Sequence, residues 1–413
     1  MSIKTSWLPV DETSDFSIHN LPFGIFSNGA QKKVGVAIGD HILDLPAISK
    51  TGLFDAISIP MNCLENDYLN DFIALGKRKT TEVRSLLQKE LGKEDSKLRD
   101  TSSVLVHQRD ATMHMPVKVG DYTDFYSSIE HATNVGKMFR DPENALLPNW
   151  KHIPVGYHGR ASSIILSGQP ITRPYGQLKP LEGSPIFSPT KRLDFELEMA
   201  FIIGKSTELG DTLTTSNAAD HIFGMVLFND WSARDVQKWE YVPLGPFLAK
   251  SFASSISPWI VTMEALAPFK VAGPTQEPAV LPYLQYSGEQ NFDIDLEVAL
   301  TPQDADTSLI CQSNFKYMYW NMPQQLTHHT MNGCNVNVGD MMASGTISGP
   351  TPDSFGSMLE LSWGGKNPVV LKDGQTRTFI EDGDTVSMKG YAKKEGIRVG
   401  FGEVLTQVLP ARN

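Results

Sequence analysis

Between Asp194 and Ile203 the chain reads Asp-Phe-Glu-Leu-Glu-Met-Ala-Phe-Ile-Ile. A β-strand sends successive side chains to opposite faces. Asp194, Glu196 and Glu198 then share one face, and Phe195, Leu197 and Met199 share the other. The run that follows is wholly apolar, so the strand enters a core. A row of carboxylates carried to such a place needs a counter-charge, either a bound cation or water. Residues 293–297 read Asp-Ile-Asp-Leu-Glu with the same alternation. Spacing alone does not separate the two copies.

Three further acidic stretches are candidates to join the first. Asp230 ends the apolar run Ile222–Phe228, and the following Ser232 is placed to cap a short helix. On that helix Arg234, Gln237 and Tyr241 fall at i, i+3, i+7 and share a face. Asp121-Tyr-Thr-Asp124 precedes Tyr126 and His131, and His131 is a candidate general base because imidazole titrates near neutrality. Leu359-Glu360-Leu361 is the last stretch. A ligand set of Asp and Glu prefers a hard cation, Ca²⁺, Mg²⁺ or Mn²⁺. Zinc-type spacings of His and Cys are missing, as are a nucleophile elbow, a phosphate loop and a dinucleotide fingerprint. Lys250, Arg140, Tyr157 and Arg160 add polar groups in loops, and Gly345–Gly349 is either a turn or an anion cradle.

The 413 residues carry a net charge of −11, with 40% hydrophobic and 20% charged residues. That balance disfavours a nucleic-acid surface or a basic membrane face. It leaves room for an anionic small substrate met by a local basic cluster. Three scattered cysteines, Cys63, Cys311 and Cys334, fit a reducing compartment. The first twelve residues lack the apolar run of a signal peptide, and nothing reaches the roughly 18–20 apolar residues of a membrane span. The expectation is a cytoplasmic protein.

Two textures divide the chain. Val34–Ile38 and His41–Leu45 flank Gly39-Asp40 as a hairpin, and Val83, Leu86, Leu87 and Leu91 mark a helix within 66–92 that Gly92 ends. Polar residues 93–110 read as a connection. This predicts an N-terminal α+β module over 1–116. Residues 117–413 are rich in Gly, Pro and aromatics, with strand-like runs at 163–167, 194–203, 222–228, 292–300 and 358–363. Helices are predicted at 232–239 and within 314–328. The second region reads as a mainly antiparallel β domain with long loops.

These segments jointly carry a resemblance. Gly120–Ser128, His131–Gly136, Glu143–Trp150, Val155–Ser163, Asn229–Asp235, Trp239–Phe247 and Ala343–Gly349 are similar to the fumarylacetoacetase (fumarylacetoacetate hydrolase) family, and the similarity spans the chain. The resemblance implies a mainly β (α+β) fold, with a small SH3-like barrel followed by a β-roll catalytic domain, assembled as a homodimer. It implies hydrolysis of a carbon–carbon bond in a dicarboxylate β-diketone, giving fumarate and acetoacetate at the end of tyrosine and phenylalanine breakdown. By matching position, Asp124, Glu196, Glu198 and Asp230 would hold the catalytic Ca²⁺ or Mg²⁺. His131 would be the base and Glu360 its orienting carboxylate. Arg234, Gln237 and Lys250 would stabilise the leaving carbanion. Tyr126, Arg140, Tyr157, Gln237, Tyr241 and Thr346 would bind substrate, and Asp230, Lys250 and Ser254 would form a second Mg²⁺ site. Ala253 and Ser254 stand where Gly and Thr are expected, which bears on that second site. Glu130 is an unexpected acid beside His131. Asp194 is expected outside the coordination shell, in a salt bridge or facing solvent. Acylpyruvate hydrolases and oxaloacetate decarboxylases of the same fold are the nearest alternatives.

Overall fold

A computed structural model describes residues 4–412. The first three residues of the N-terminal stretch, and Asn413, lie outside the described residues. Among the described residues the strands form two five-stranded sheets, an eight-stranded sheet and several two-stranded pairs.

The N-terminal sheet is antiparallel, in the order Leu105–His107, His41–Asp44, Lys33–Ile38, Phe23–Ser27, Thr112–His114. The hairpin forms as the sequence suggests, with Gly39 at φ +55° in its two-residue turn. The strand stops at Asp44 because its carboxylate caps the next helix, accepting from Ala47 N at 3.0 Å. The helical stretch 66–92 is broken in two. Gly76 at φ +89° separates Asn70–Ile73 from Lys77–Leu91, and Gly92 ends the second helix. Residues 93–110 are more than a connection, because Leu105–His107 completes the sheet edge.

The eight-stranded sheet is built around the antiparallel hairpin Leu197–Ile203 and Ile222–Asp230. Both strands are buried along their whole length. Leu197, Met199, Phe201 and Ile203 enter a core shared with the second five-stranded sheet. Ala200 and Ile202 enter the core under the N-terminal module. A strand covered on both faces has no solvated side, so the carboxylate of Glu198 must be answered inside the protein. The β domain is mainly antiparallel, with three parallel pairings, of which Met341–Ala343 against Tyr122–Phe125 carries Asp124 to the hairpin.

Four local expectations are corrected. The predicted strand at 358–363 is a short helix, Met358–Leu361, capped by Ser357. Ser232 does not cap a helix. It pairs in a two-residue strand with Asp194, and the helix Arg234–Glu240 begins after Ala233. The strand 194–203 is interrupted between Asp194 and Leu197. The stretch 314–328 holds a 3₁₀ turn at Phe315–Tyr317 and a helix at Met322–Thr330 that starts with an Asn321 capping box. An eleven-residue helix not announced by periodicity, Ile129–Phe139, begins where Ser128 Oγ accepts from His131 N at 3.2 Å. No helix among the described residues is long and apolar enough to cross a membrane.

Candidate active site and metal centre

Burial separates the two acidic strands. Asp194, Glu196 and Glu198 are 0%, 5% and 0% exposed. In the second copy Asp295 faces solvent, and the Asp293 side chain is 48% exposed beside Lys316. Alternation gives each strand an acidic face, and only the first has that face covered.

Asp124, Glu196, Glu198 and Asp230 each offer a ligand atom within 4.8 Å of the others, and all four are buried. Three strands and the 195–196 break deliver them. Asp124 Oδ1 and Glu198 Oε1 have no hydrogen-bond partner among the described residues. Burial, with the charges of Asp230 and Glu196, pushes the Asp124 carboxyl well above the usual range. Burial and the nearby Asp124 and Asp230 do the same to Glu198. Orphaned carboxylate oxygens aimed at one point are the donor set a hard divalent cation takes. The residues present therefore fit such an ion.

Two buried cations share this cluster. Lys250 Nζ donates to Asp230 Oδ2 at 2.6 Å and also to Glu196 Oε2. Arg234 Nη2 meets Glu196 Oε1 at 2.7 Å, and its Nε donates to Asp194 Oδ2 at 2.7 Å. Burial favours the neutral forms of all these groups, yet Arg234 and Lys250 hold Glu196 ionised, with its pKa below the ordinary value. Asp230 and Glu196 in turn keep Lys250 charged. Arg234 Nη1 reaches Gln237 Oε1 at 3.3 Å. Ser254 Oγ donates to Asp230 Oδ1 at 3.0 Å, so the hydroxyl kept next to Ala253 is in contact with the cluster. Tyr157, expected among the substrate groups, donates its hydroxyl to Asp230 Oδ2 at 2.8 Å.

The second half of the site is a dyad. His131 Nδ1 and Glu360 Oε2 stand 2.6 Å apart, both buried. Glu360 also accepts from Asn134 Nδ2, Ser348 Oγ and Ser357 Oγ, each at 2.9 Å. Burial would raise its pKa, but His131 and these donors hold it below the ordinary carboxylate range. With Glu360 ionised, Nδ1 carries the proton and Nε2 is left as the acceptor. The Tyr126 ring packs edge-on to His131 at 5.2 Å. Its hydroxyl lies in the field of Glu360, Glu196, Arg234 and Arg140, and burial pushes its pKa up. Glu130 approaches Ser128 Oγ at 3.5 Å, and no Glu130–His131 ion pair forms among the described residues.

Thr346 is buried in the loop after Ala343, where the Gly345 amide donates to Glu198 Oε2 at 2.9 Å. That loop therefore meets one of the protein's own carboxyl groups through a single amide. Arg140 and Tyr241 lie at the exposed ends of their helices, and Arg140 Nη2 donates to Ala145 O at 2.6 Å. Asn134, Ser348 and Ser357 are not among the sequence candidates. Ser357-Met-Leu-Glu360 carried a usable signal, because Ser followed three residues later by Glu marks a helix start.

Residues 19–116 match the family model described as Fumarylacetoacetase N-terminal, and residues 121–409 match Fumarylacetoacetate (FAA) hydrolase C-terminal. The fumarylacetoacetase of Homo sapiens is 54% identical over 414 residues, covering 98% of this chain and 99% of its own. That of Arabidopsis thaliana is 50% identical over 420 residues, covering 100% of both. A fumarylacetoacetate hydrolase structure from Exiguobacterium antarcticum aligns with a TM-score of 0.53 at 21% identity, over 95% of this chain and all of that one. A maleylpyruvate hydrolase from Sphingobium sp. SYK-6, in complex with manganese(II) and pyruvate, aligns with a TM-score of 0.51 at 16% identity, over 95% of this chain and all of that one. At such identities the two structures speak to the fold alone.

Proposed function

The chain belongs to the fumarylacetoacetase family, and on that premise we propose how its residues hydrolyse the carbon–carbon bond of fumarylacetoacetate to fumarate and acetoacetate. The observation that carries the reading is the buried His131–Glu360 dyad beside four carboxylates and two buried cations.

Asp124, Glu196, Glu198 and Asp230 are the residues that would hold the divalent cation, which when bound supplies Lewis-acid polarisation of a diketone. Ca²⁺ or Mg²⁺ is the proposed ion, with Mn²⁺ as the alternative. His131 takes a proton from water at Nε2, while Glu360 holds the ring and stabilises the imidazolium that forms. The oxygen of that water adds to the carbonyl carbon. The carbon–carbon bond then breaks, and its electron pair leaves with the acetoacetate fragment as an enolate. Arg234, Gln237 and Lys250 are proposed to stabilise that charge, where a single oxyanion donor is typically worth about 2.7–4 kcal/mol. A proton to the leaving carbon completes the reaction. Tyr126, Arg140, Tyr157, Tyr241 and Thr346 are proposed to line the substrate, Arg140 meeting a carboxylate. A second Mg²⁺ at Asp230, Lys250 and Ser254 remains a proposal in which Asp230 and the Ser254 hydroxyl are the oxygen donors, because the charged Lys250 ammonium has no lone pair to offer.

The same reading takes 1–116 as an SH3-like module, 117–413 as the catalytic domain, and the cytoplasm as location. It also takes a homodimer. Trp239, Tyr241, Val242, Leu244, Phe247 and Leu248 are exposed in one segment, and Trp239 Nε1 donates at 3.3 Å to Oε1 of Gln177, a residue of the hairpin that also carries exposed Ile186 and Phe187. So much clustered apolar surface suits a second copy. The purified protein with Ca²⁺ or Mg²⁺ should bleach the ultraviolet absorbance of fumarylacetoacetate, and His131→Ala should stop it without unfolding. A folded, metal-loaded protein that leaves fumarylacetoacetate intact while cleaving another 2,4-diketo acid would overturn the substrate.

A further inference from the structure

We propose that Asp194 is a positioning residue that sets Arg234 and Glu360 in one frame. This deepens the reading above and rests on its roles for His131, Glu360 and Arg234. Asp194 is fully buried, and its carboxylate has partners on two elements. Oδ2 accepts from Arg234 Nε at 2.7 Å and from Leu359 N at 3.0 Å, and Oδ1 accepts from Met358 N at 2.7 Å. Met358 and Leu359 open the short helix that carries Glu360, and Ser357 Oγ accepts from the Glu360 amide at 3.3 Å. The helix start is therefore held by Asp194 and Ser357 together.

On the other side, Asp194 pairs in register with Ser232, two residues before Arg234. Glu196, two residues on from Asp194, bridges the Ser357 backbone and meets Arg234 Nη2 at 2.7 Å. The guanidinium is thus oriented from three directions, with Gln237 as the third. A carboxylate buried this deeply is a poor device for stability alone, since well-packed apolar residues serve as well. It is a good device for orientation, because three charge-assisted hydrogen bonds fix two elements to within a fraction of an ångström. Moving the Glu360 helix moves His131, and tilting the guanidinium moves the group that meets the leaving charge.

The test uses the full-length, metal-loaded enzyme with Asp194→Asn, Glu360→Gln and the double variant. Asp194→Asn keeps the shape and one acceptor but turns an amide toward Arg234 or the helix. Its kcat should fall about 10- to 100-fold, the usual range when an orienting partner is lost, with KM changed less than about threefold. In the Glu360→Gln background the same change should cost less, because the share that acts through the His131–Glu360 dyad is already lost and only the share through Arg234 remains. Equal losses in both backgrounds, or an unchanged kcat, overturn the proposal. The His131 Nδ1 proton should give a far-downfield NMR signal that moves in Asp194→Asn, which reads position without turnover. A wild-type protein lacking turnover, in which that signal still shifts, counts against the reaction and supports the positioning. Asp194→Glu is the second variant, and failure of both to fold makes Asp194 a folding residue and overturns the proposal.

Discussion

His131 Nδ1 and Glu360 Oε2 face each other at 2.6 Å across 229 residues of sequence, joining the helix Ile129–Phe139 to the helix Met358–Leu361. The carboxylate is fully enclosed and its other lone pairs are taken by Asn134, Ser348 and Ser357. Replacing it with the isosteric amide keeps the volume and removes the charge that stabilises imidazolium. Glu360→Gln should lower kcat by about 10²- to 10⁴-fold in the assay of fumarylacetoacetate decay, with a smaller change in KM. A loss of less than threefold would show that the dyad is not used.

The same pair shapes acid stability. The folded-state pKa of Glu360 lies below its ordinary value of 4.5. A depressed carboxylate stabilises the fold above that ordinary value, and the contribution is lost as pH falls through the folded pKa. Unfolding followed from pH 7 down to pH 3 should therefore be less steep below about pH 4.5 in Glu360→Gln than in the wild type. Superimposable acid limbs would mean that the pairing adds nothing to the fold.

The four buried carboxylates predict a metal-dependent melting temperature. An ion that binds only the folded state adds about 2.7 kcal/mol at a hundred times its dissociation constant. Adding Ca²⁺ or Mg²⁺ after chelation should raise the melting temperature, and Asp124→Asn should remove most of the increment. Equal melting curves with chelator and with either ion would remove the metal centre.

Gly136 sits where a Cβ would lie 2.0 Å from Ala145 O, the atom that anchors Arg140 Nη2. Gly136→Ala must push the 141–147 segment off the His131 helix. A cost of about 1–3 kcal/mol in denaturant unfolding is expected from overpacking, and KM should rise more than kcat falls because Arg140 loses its seat. A variant with wild-type KM would show that Arg140 does not hold substrate.

The exposed segment Trp239–Leu248 predicts association. Leu244 is 96% and Phe247 62% exposed. The double change Leu244→Asp, Phe247→Asp should halve the mass measured by sedimentation while leaving the monomer folded. A wild-type protein that sediments as a monomer at micromolar concentration would dismiss the dimer.

Much of this protein was legible in its residues. The family segments named Asp124, Glu196, Glu198, Asp230, His131 and Glu360 as candidates, and the fold brings the four carboxylates together and joins His131 to Glu360. Gly39, Gly92 and the leucine spacing marked the hairpin and the long helix, because such signals are local. Where neighbours decide, local reading failed. Met358–Trp363 looked like a strand, yet it turns into a helix because Ser357 and the distant Asp194 take up its first amides. Ser232 looked like a cap, yet pairing with Asp194 uses it as strand.

The two acidic strands state the division most sharply. By itself the sequence determined that Asp194–Glu198 and Asp293–Glu297 each put acids on one face, since side-chain alternation is a property of the chain. Only the tertiary structure decided which face is dry. The first strand is closed between Asp124, Asp230 and Lys250, while in the second Asp295 is exposed and accepts from Asn314 Nδ2 at 2.9 Å at the surface. A carboxylate in water keeps its hydration and needs no partner. One enclosed by protein must be answered by a donor, a cation or a metal, and that physical demand turns the same pattern into a site.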